Sequence, residues 1–112
     1  MAVAEMDEPA LVLGDERATV VARRLAALAE PTRLKVVTEL RERDDATVQE
    51  LAAAVDGSLP NVSKHLQVLH QCGIVIRRKE GTFVHYRLAG DAVGVLVLYA
   101  IRILAGRARN TD

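Results

Sequence analysis

The sequence predicts a mainly helical chain with one small β-hairpin, in the order α-α-α-α-β-β-α, and three observations carry that prediction. Apolar residues recur at helical spacing in most of the chain. Two short helical stretches in the middle are separated only by Asp56-Gly57, a turn pair. After Gly73 the pattern switches to alternation, and after Asp91 it returns to a helix.

The first helical pattern starts near Asp15, an expected N-cap, and carries Val20, Val21, Leu25 and Leu28. Pro31 opens a second helix, where its missing N–H costs little, and Leu34, Val37 and Leu40 line the inner face. Arg41 to Asp45 is too charged for a core and closes that helix into a polar loop. Thr47 and Glu50 stand at capping-box spacing before a short third helix built on Val48, Leu51, Ala52 and Val55. Ser58 caps a fourth helix with Pro60 in its first turn, the apolar stripe Val62, Leu66 and Leu69, and Gly73 at its end.

Ile74-Val75-Ile76 begin a strand that runs into Arg77-Arg78-Lys79. Glu80-Gly81-Thr82 turns the chain. From Phe83 to Leu88, Val84, Tyr86 and Leu88 alternate with Phe83, His85 and Arg87. Asp91 is the expected cap of a last helix that reaches about Gly106.

The 112 residues make one domain of about 15–107, with an acidic arm at 1–14 and a tail at 108–112. Half of the residues are hydrophobic but only 3% are aromatic, so the core is expected to be aliphatic. A single cysteine, Cys72, and no signal-peptide pattern point to a reducing cytoplasmic setting. Cys72 itself reads as packing. A membrane span is not expected, because Arg102 interrupts the most apolar helix. No nucleophile–base pair, phosphate loop or paired-carboxylate cleft appears, so the chain is not expected to be an enzyme.

The net charge is zero, but it is unevenly spread. Glu5, Asp7, Glu8, Asp15 and Glu16 lie in the first sixteen residues, which contain no lysine or arginine and leave 15 basic against 10 acidic groups in the rest. Between Ser58 and Gly90, five basic residues face Glu80 alone. Helix, tight turn, helix and basic hairpin in series describe a winged helix-turn-helix. Its fourth helix is dimensioned for the major groove, which is about 12 Å wide. On that reading Ser58, Leu59, Asn61, Ser63, Lys64, His65 and Gln67 face bases or phosphates, with Asn61 suited to adenine and Lys64 to guanine or phosphate. Thr47 and Gln49 reach phosphate from the third helix. Arg77, Arg78, Lys79, Thr82 and His85 supply backbone contacts from the wing.

The runs Leu28-Ala29-Glu30-Pro31-Thr32-Arg33-Leu34, Val48-Gln49-Glu50-Leu51-Ala52 and Asn61-Val62-Ser63-Lys64-His65-Leu66-Gln67-Val68-Leu69 recur in a known pattern. Gly73-Ile74-Val75, Arg78-Lys79-Glu80-Gly81 and Tyr86-Arg87-Leu88 follow in the same order. Through them the stretch from Ala26 to Leu88 resembles the ArsR/SmtB family of bacterial regulators. The resemblance implies a homodimer on a roughly palindromic operator, repression as the usual outcome, and control by a ligand that is often a metal ion. It implies a dimer interface on the first and last helices, here Val20, Val21, Leu25, Val93, Leu96, Val97, Ala100, Ile101 and Leu104. A last helix apolar on every side needs cover that a domain this small lacks, and this favours the same pairing.

The family's pattern is departed from in three places. Ser58-Leu59 stands where the family often has Ser-Gln. Thr47-Val48-Gln49 stands where one family metal site has Cys-Val-Cys. Of a second site only Asp91 is kept, with Val93, Leu104 and Arg107 in the other places. A divalent Ni, Zn or Co ion would therefore need a non-standard site, for which the candidates are His65, His70, His85 and Asp91. The bland alternative is that His65 and His85 touch DNA, His70 is surface and Asp91 is a cap. A different reading is a DNA-binding or dimerisation subunit whose signal comes from a separate co-regulator protein.

Overall fold

In the computed structural model the described residues are 12–106, so most of the acidic arm, Arg107 and the tail lie outside them. The elements are α1 (Asp15–Leu28), α2 (Pro31–Arg43), β1 (Ala46–Thr47), α3 (Val48–Ala54), α4 (Leu59–Gln71), β2 (Val75–Glu80), β3 (Phe83–Leu88) and α5 (Asp91–Ala100). The last helix runs on as a π-helical turn over Ile101–Ala105.

Local chemistry explains most of the starts. Thr47 and Glu50 close the expected capping box: the Glu50 N–H donates to Thr47 Oγ1 at 3.2 Å, and the Thr47 N–H donates to Glu50 Oε1 at 2.8 Å. Ser58 Oγ accepts from the Asn61 N–H at 3.3 Å. The cap of α2 is Glu30, whose carboxylate accepts from the N–H groups of Thr32 and Arg33 just ahead of the proline turn. Two expected caps are displaced by one residue. Gly14 and Gly90 hold the extended backbone before α1 and α5, so Asp15 and Asp91 sit in the first turns. There their charge still complements the helix dipole.

The sheet has three strands in the order β1-β3-β2, all antiparallel, rather than the two of the expected hairpin. Val75 pairs with Leu88 and Glu80 with Phe83 along the wing, while Ala46 and Thr47 pair with Tyr86 and His85. Two residues are too few to show a period, which is why β1 is invisible in the sequence pattern. Gly81, at φ 63, takes the first turn position that two-residue hairpins of the II′ kind reserve for glycine.

The core is aliphatic, as the composition requires. Val36, Val37, Leu40, Leu51, Val62, Leu66 and Leu69 are fully buried, and Tyr86 is the aromatic among them. α5 packs on α2 with Gly94 and Val97 inward. Val97, expected at the dimer interface, is therefore inside its own chain. The other expected interface residues stand differently: Val20, Val21, Leu25, Leu96, Ile101 and Leu104 are exposed, and Val93 and Ala100 are half-buried. Among the described residues no helix is long and apolar enough to cross a membrane.

Candidate nucleic-acid interface

α3 and α4 meet at a tight corner. Asp56 takes φ 56, and a Cβ on Gly57 would come within 2.9 Å of Val62 Cγ2, so the corner admits no larger residue there without shifting the core. The corner turns α4's stripe of Val62, Leu66 and Leu69 inward and its polar face outward. Ser58, Asn61, Ser63, Lys64 and Gln67 lie on that outward side, and all five are exposed. Leu59 stands beside them 46% exposed, an apolar group on an otherwise polar face. Gln49 is exposed on α3, whereas Thr47 is half-buried with its hydroxyl engaged by Glu50.

His65 is not part of the open face. Its Nε2 lies 3.1 Å from Glu30 Oε2, and both side chains are mostly covered. Burial pushes the Glu30 carboxyl up, but the N–H groups of Thr32 and Arg33, with the His65 and Arg33 charges, outweigh it and hold the group below its ordinary value. The link ties the middle of α4 to the start of α2.

The wing divides its basic residues by strand face. Arg78 and His85 are cross-strand partners, and Asp45 reaches both. His85 Nδ1 is 2.7 Å from Asp45 Oδ1, Arg78 Nη1 is 3.2 Å from Asp45 Oδ2, and Arg78 Nη2 is 3.5 Å from Glu80 Oε2. The hydrogen bond with His85, then the nearby Arg78 charge, hold the Asp45 carboxyl below its ordinary value against the effect of burial. Sequence reasoning missed Asp45, because its partner His85 is 40 positions away. Arg77, Lys79 and Thr82 are exposed, and among the described residues Lys64, Arg77 and Lys79 have no carboxylate within ion-pair distance. These three cations lie on α4's outer face and on β2.

The four metal candidates are not brought together. His65 is on Glu30, His85 on Asp45, His70 is exposed at the end of α4, and Asp91 opens α5. Among the described residues no three histidine, cysteine or carboxylate groups are placed to share an ion. Cys72 ends α4, half-buried against the core.

Comparison with known proteins agrees with this geometry. A helix-turn-helix domain family matches residues 28–78, from the end of α1 into β2. The biofilm growth-associated repressor of Agrobacterium fabrum is 40% identical over 101 residues, spanning 88% of this chain and 83% of the repressor. The arsenical resistance operon repressor of Escherichia coli is 44% identical over 62 residues, 55% of this chain, and there the chain spans only 53% of the relative's length. The homodimeric winged helix-turn-helix DNA-binding domain of a possible ArsR-family regulator from Mycobacterium bovis superposes with a TM-score of 0.71 at 30% identity, covering 91% of this chain and 95% of that one. This chain belongs to the ArsR/SmtB family. Within the family it is a DNA-binding transcriptional regulator and not an enzyme. The family match falls on α2, α3 and α4, the elements that set the exposed polar face of α4.

Proposed function

We propose that the chain is a homodimeric repressor that binds a two-fold symmetric operator, with one α4 in each of two successive major grooves and the wings on the flanking backbone. The observation that carries this reading is the exposed polar face of α4 together with Lys64, Arg77 and Lys79, which have no carboxylate within ion-pair distance among the described residues. Base edges would be read by Asn61, Lys64 and Gln67, and phosphates by Ser58, Ser63, Gln49, Arg77, Lys79 and Thr82. Pairing of two copies is supported by the exposed apolar residues of α1 and α5. Two half-sites about 34 Å apart would match the two-fold axis.

The test is a fluorescence-anisotropy titration of the protein on the DNA upstream of its own gene. Binding should weaken steeply with salt, as phosphate contacts dictate. Replacing Asn61 and Lys64 together by alanine should cost about 1–3 kcal/mol for each base no longer read. An unchanged affinity in the double variant would show that α4 is not the reading helix. Titration of the protein with Ni(II), Zn(II) and Co(II) tests for a metal effector. Flat heats together with a specific protein recovered on the chain would favour a signal delivered by a co-regulator.

A further inference from the structure

A groove runs along the outer side of the chain, between the end of α2, the end of β3 and α5. Its wider end, 710 Å³, is lined by Arg41, Asp44, Arg87, Leu88 and Asp91. Its narrower end, 540 Å³, is lined by Leu98, Tyr99, Ile101 and Arg102. Arg41 and Val95 line both ends, so the two meet there. The wider end carries charges of both signs, and the narrower end sets a row of apolar side chains and an aromatic ring between Arg41 and Arg102, which suits a ligand with a polar head and an apolar body.

Two observations distinguish this groove from ordinary surface. The first is how Arg41 enters it. Its side chain crosses the helix at Gly94, where a Cβ would lie 2.8 Å from Arg41 Cδ and 3.2 Å from its Nε. Glycine inside a helix costs about 1 kcal/mol relative to alanine. At position 94 it opens the path for a guanidinium that has no carboxylate within ion-pair distance among the described residues. The second is the choice of face. Val95, Leu98, Tyr99 and Arg102 follow at helical spacing on one side of α5, while Leu96 and Leu104 stand on another. Covering the second side with a partner copy therefore leaves the row of Val95, Leu98, Tyr99 and Arg102 open, and only Ile101, at the narrower end, is shared with the expected interface.

A guanidinium fork matches a carboxylate in two parallel hydrogen bonds. Asp44 and Asp91 on the same rim offset the charges of Arg41 and Arg87, which disfavours a second negative charge on the ligand. We propose that this groove binds a monocarboxylate with an apolar acyl or aryl body. The carboxylate lies on Arg41, and the body lies along Val95, Leu98 and Tyr99. The groove joins the foot of the wing, at Arg87 and Leu88, to the helix that carries the interface residues. A ligand that fits the groove better at one angle between the two therefore favours that angle. This consequence rests on the operator-binding reading above, and under it the ligand is an effector.

The experiment is calorimetry on the full chain with hexanoate, octanoate and 4-phenylbutyrate, and with 4-phenylbutanol as the uncharged counterpart. At least one acid should bind saturably, and the alcohol about tenfold more weakly or worse. Arg41→Gln should weaken the acid about tenfold. Gly94→Ala, which closes the path without removing a charge, should do the same while circular dichroism shows an intact helix content. No saturable binding by any acid, equal binding of the alcohol, or indifference to both substitutions would overturn the site. Anisotropy on operator DNA with the acid at saturation should then shift affinity about fivefold or more. Acid binding with no shift removes the effector role and leaves the site. Acid binding with no DNA binding at all removes the operator reading instead.

Discussion

The Asp45 carboxylate holds the His85 imidazole at 2.7 Å, and with its other oxygen it holds the Arg78 guanidinium at 3.2 Å. One residue in the loop after α2 thereby fixes both strands of the wing and neutralises part of its positive field. On the proposed reading the wing meets DNA through Arg77, Lys79 and Thr82, while Arg78 and His85 are engaged on the other face.

Removing that carboxylate should make the wing more cationic. Asp45→Ala is expected to tighten DNA binding at low salt and to steepen the dependence of log affinity on log salt by about one unit for each phosphate newly engaged. A salt series by anisotropy measures this. An unchanged slope would mean that Arg78 does not reach phosphate even when released.

The same carboxylate gives stability a sign with pH. Its folded-state pKa is below the ordinary 3.8, so between the two values the unfolded chain binds more protons. The stabilisation is present above 3.8 and is lost as pH falls through the folded value. In Asp45→Asn the decline in unfolding free energy on acidification through that window should be shallower than in the native chain. Urea melts at a series of acidic pH values compare the two, and parallel curves would remove Asp45 from the acid response.

What the sequence shows and hides divides along one physical line. Features set by neighbours a few positions apart are legible: the Thr47–Glu50 box, Ser58 at the head of α4, Pro31, Gly81 and the alternation that makes β3. Features set by distant partners are not. Asp45 and Glu30 meet their histidines only after folding, and β1 exists because β3 offers an edge. Val97 illustrates a further limit. A helix that is apolar on every side carries no mark of which side faces inward, so its position against α2 had to come from the packing. Asp15 and Asp91 show the resolution of cap reading, which is one residue.

Val97 and Leu96 make that limit testable, because adjacent positions should fail in different ways. Leu96 is 47% exposed and Val97 is 2% exposed. Leu96→Glu is expected to leave the fold intact, shift the protein to monomer in sedimentation velocity, and weaken operator binding by about tenfold or more through loss of the second half-site. Val97→Ala should cost about 2 kcal/mol of stability by removing buried methyls and leaving a void. It should leave the association state unchanged. The reverse pattern would mean that α5 is rotated from the orientation seen.

Glu30 has two roles that a thermodynamic cycle separates. It caps α2 through the N–H groups of Thr32 and Arg33, and it holds His65 of α4. Loss of a cap costs about 1 kcal/mol. A partly exposed ion pair contributes about 0.2–1 kcal/mol. Glu30→Ala should therefore destabilise by about 1–2 kcal/mol, and His65→Ala by about 1 kcal/mol or less. Their double variant should fall short of the sum by the pair's own contribution. Urea unfolding of the four proteins gives the cycle. Additive losses would show that Glu30 stabilises α2 alone and that α4 is oriented by its apolar stripe. A shortfall would show that the start of α2 and the reading helix are energetically joined, and His65→Ala should then also weaken operator binding with little loss of stability.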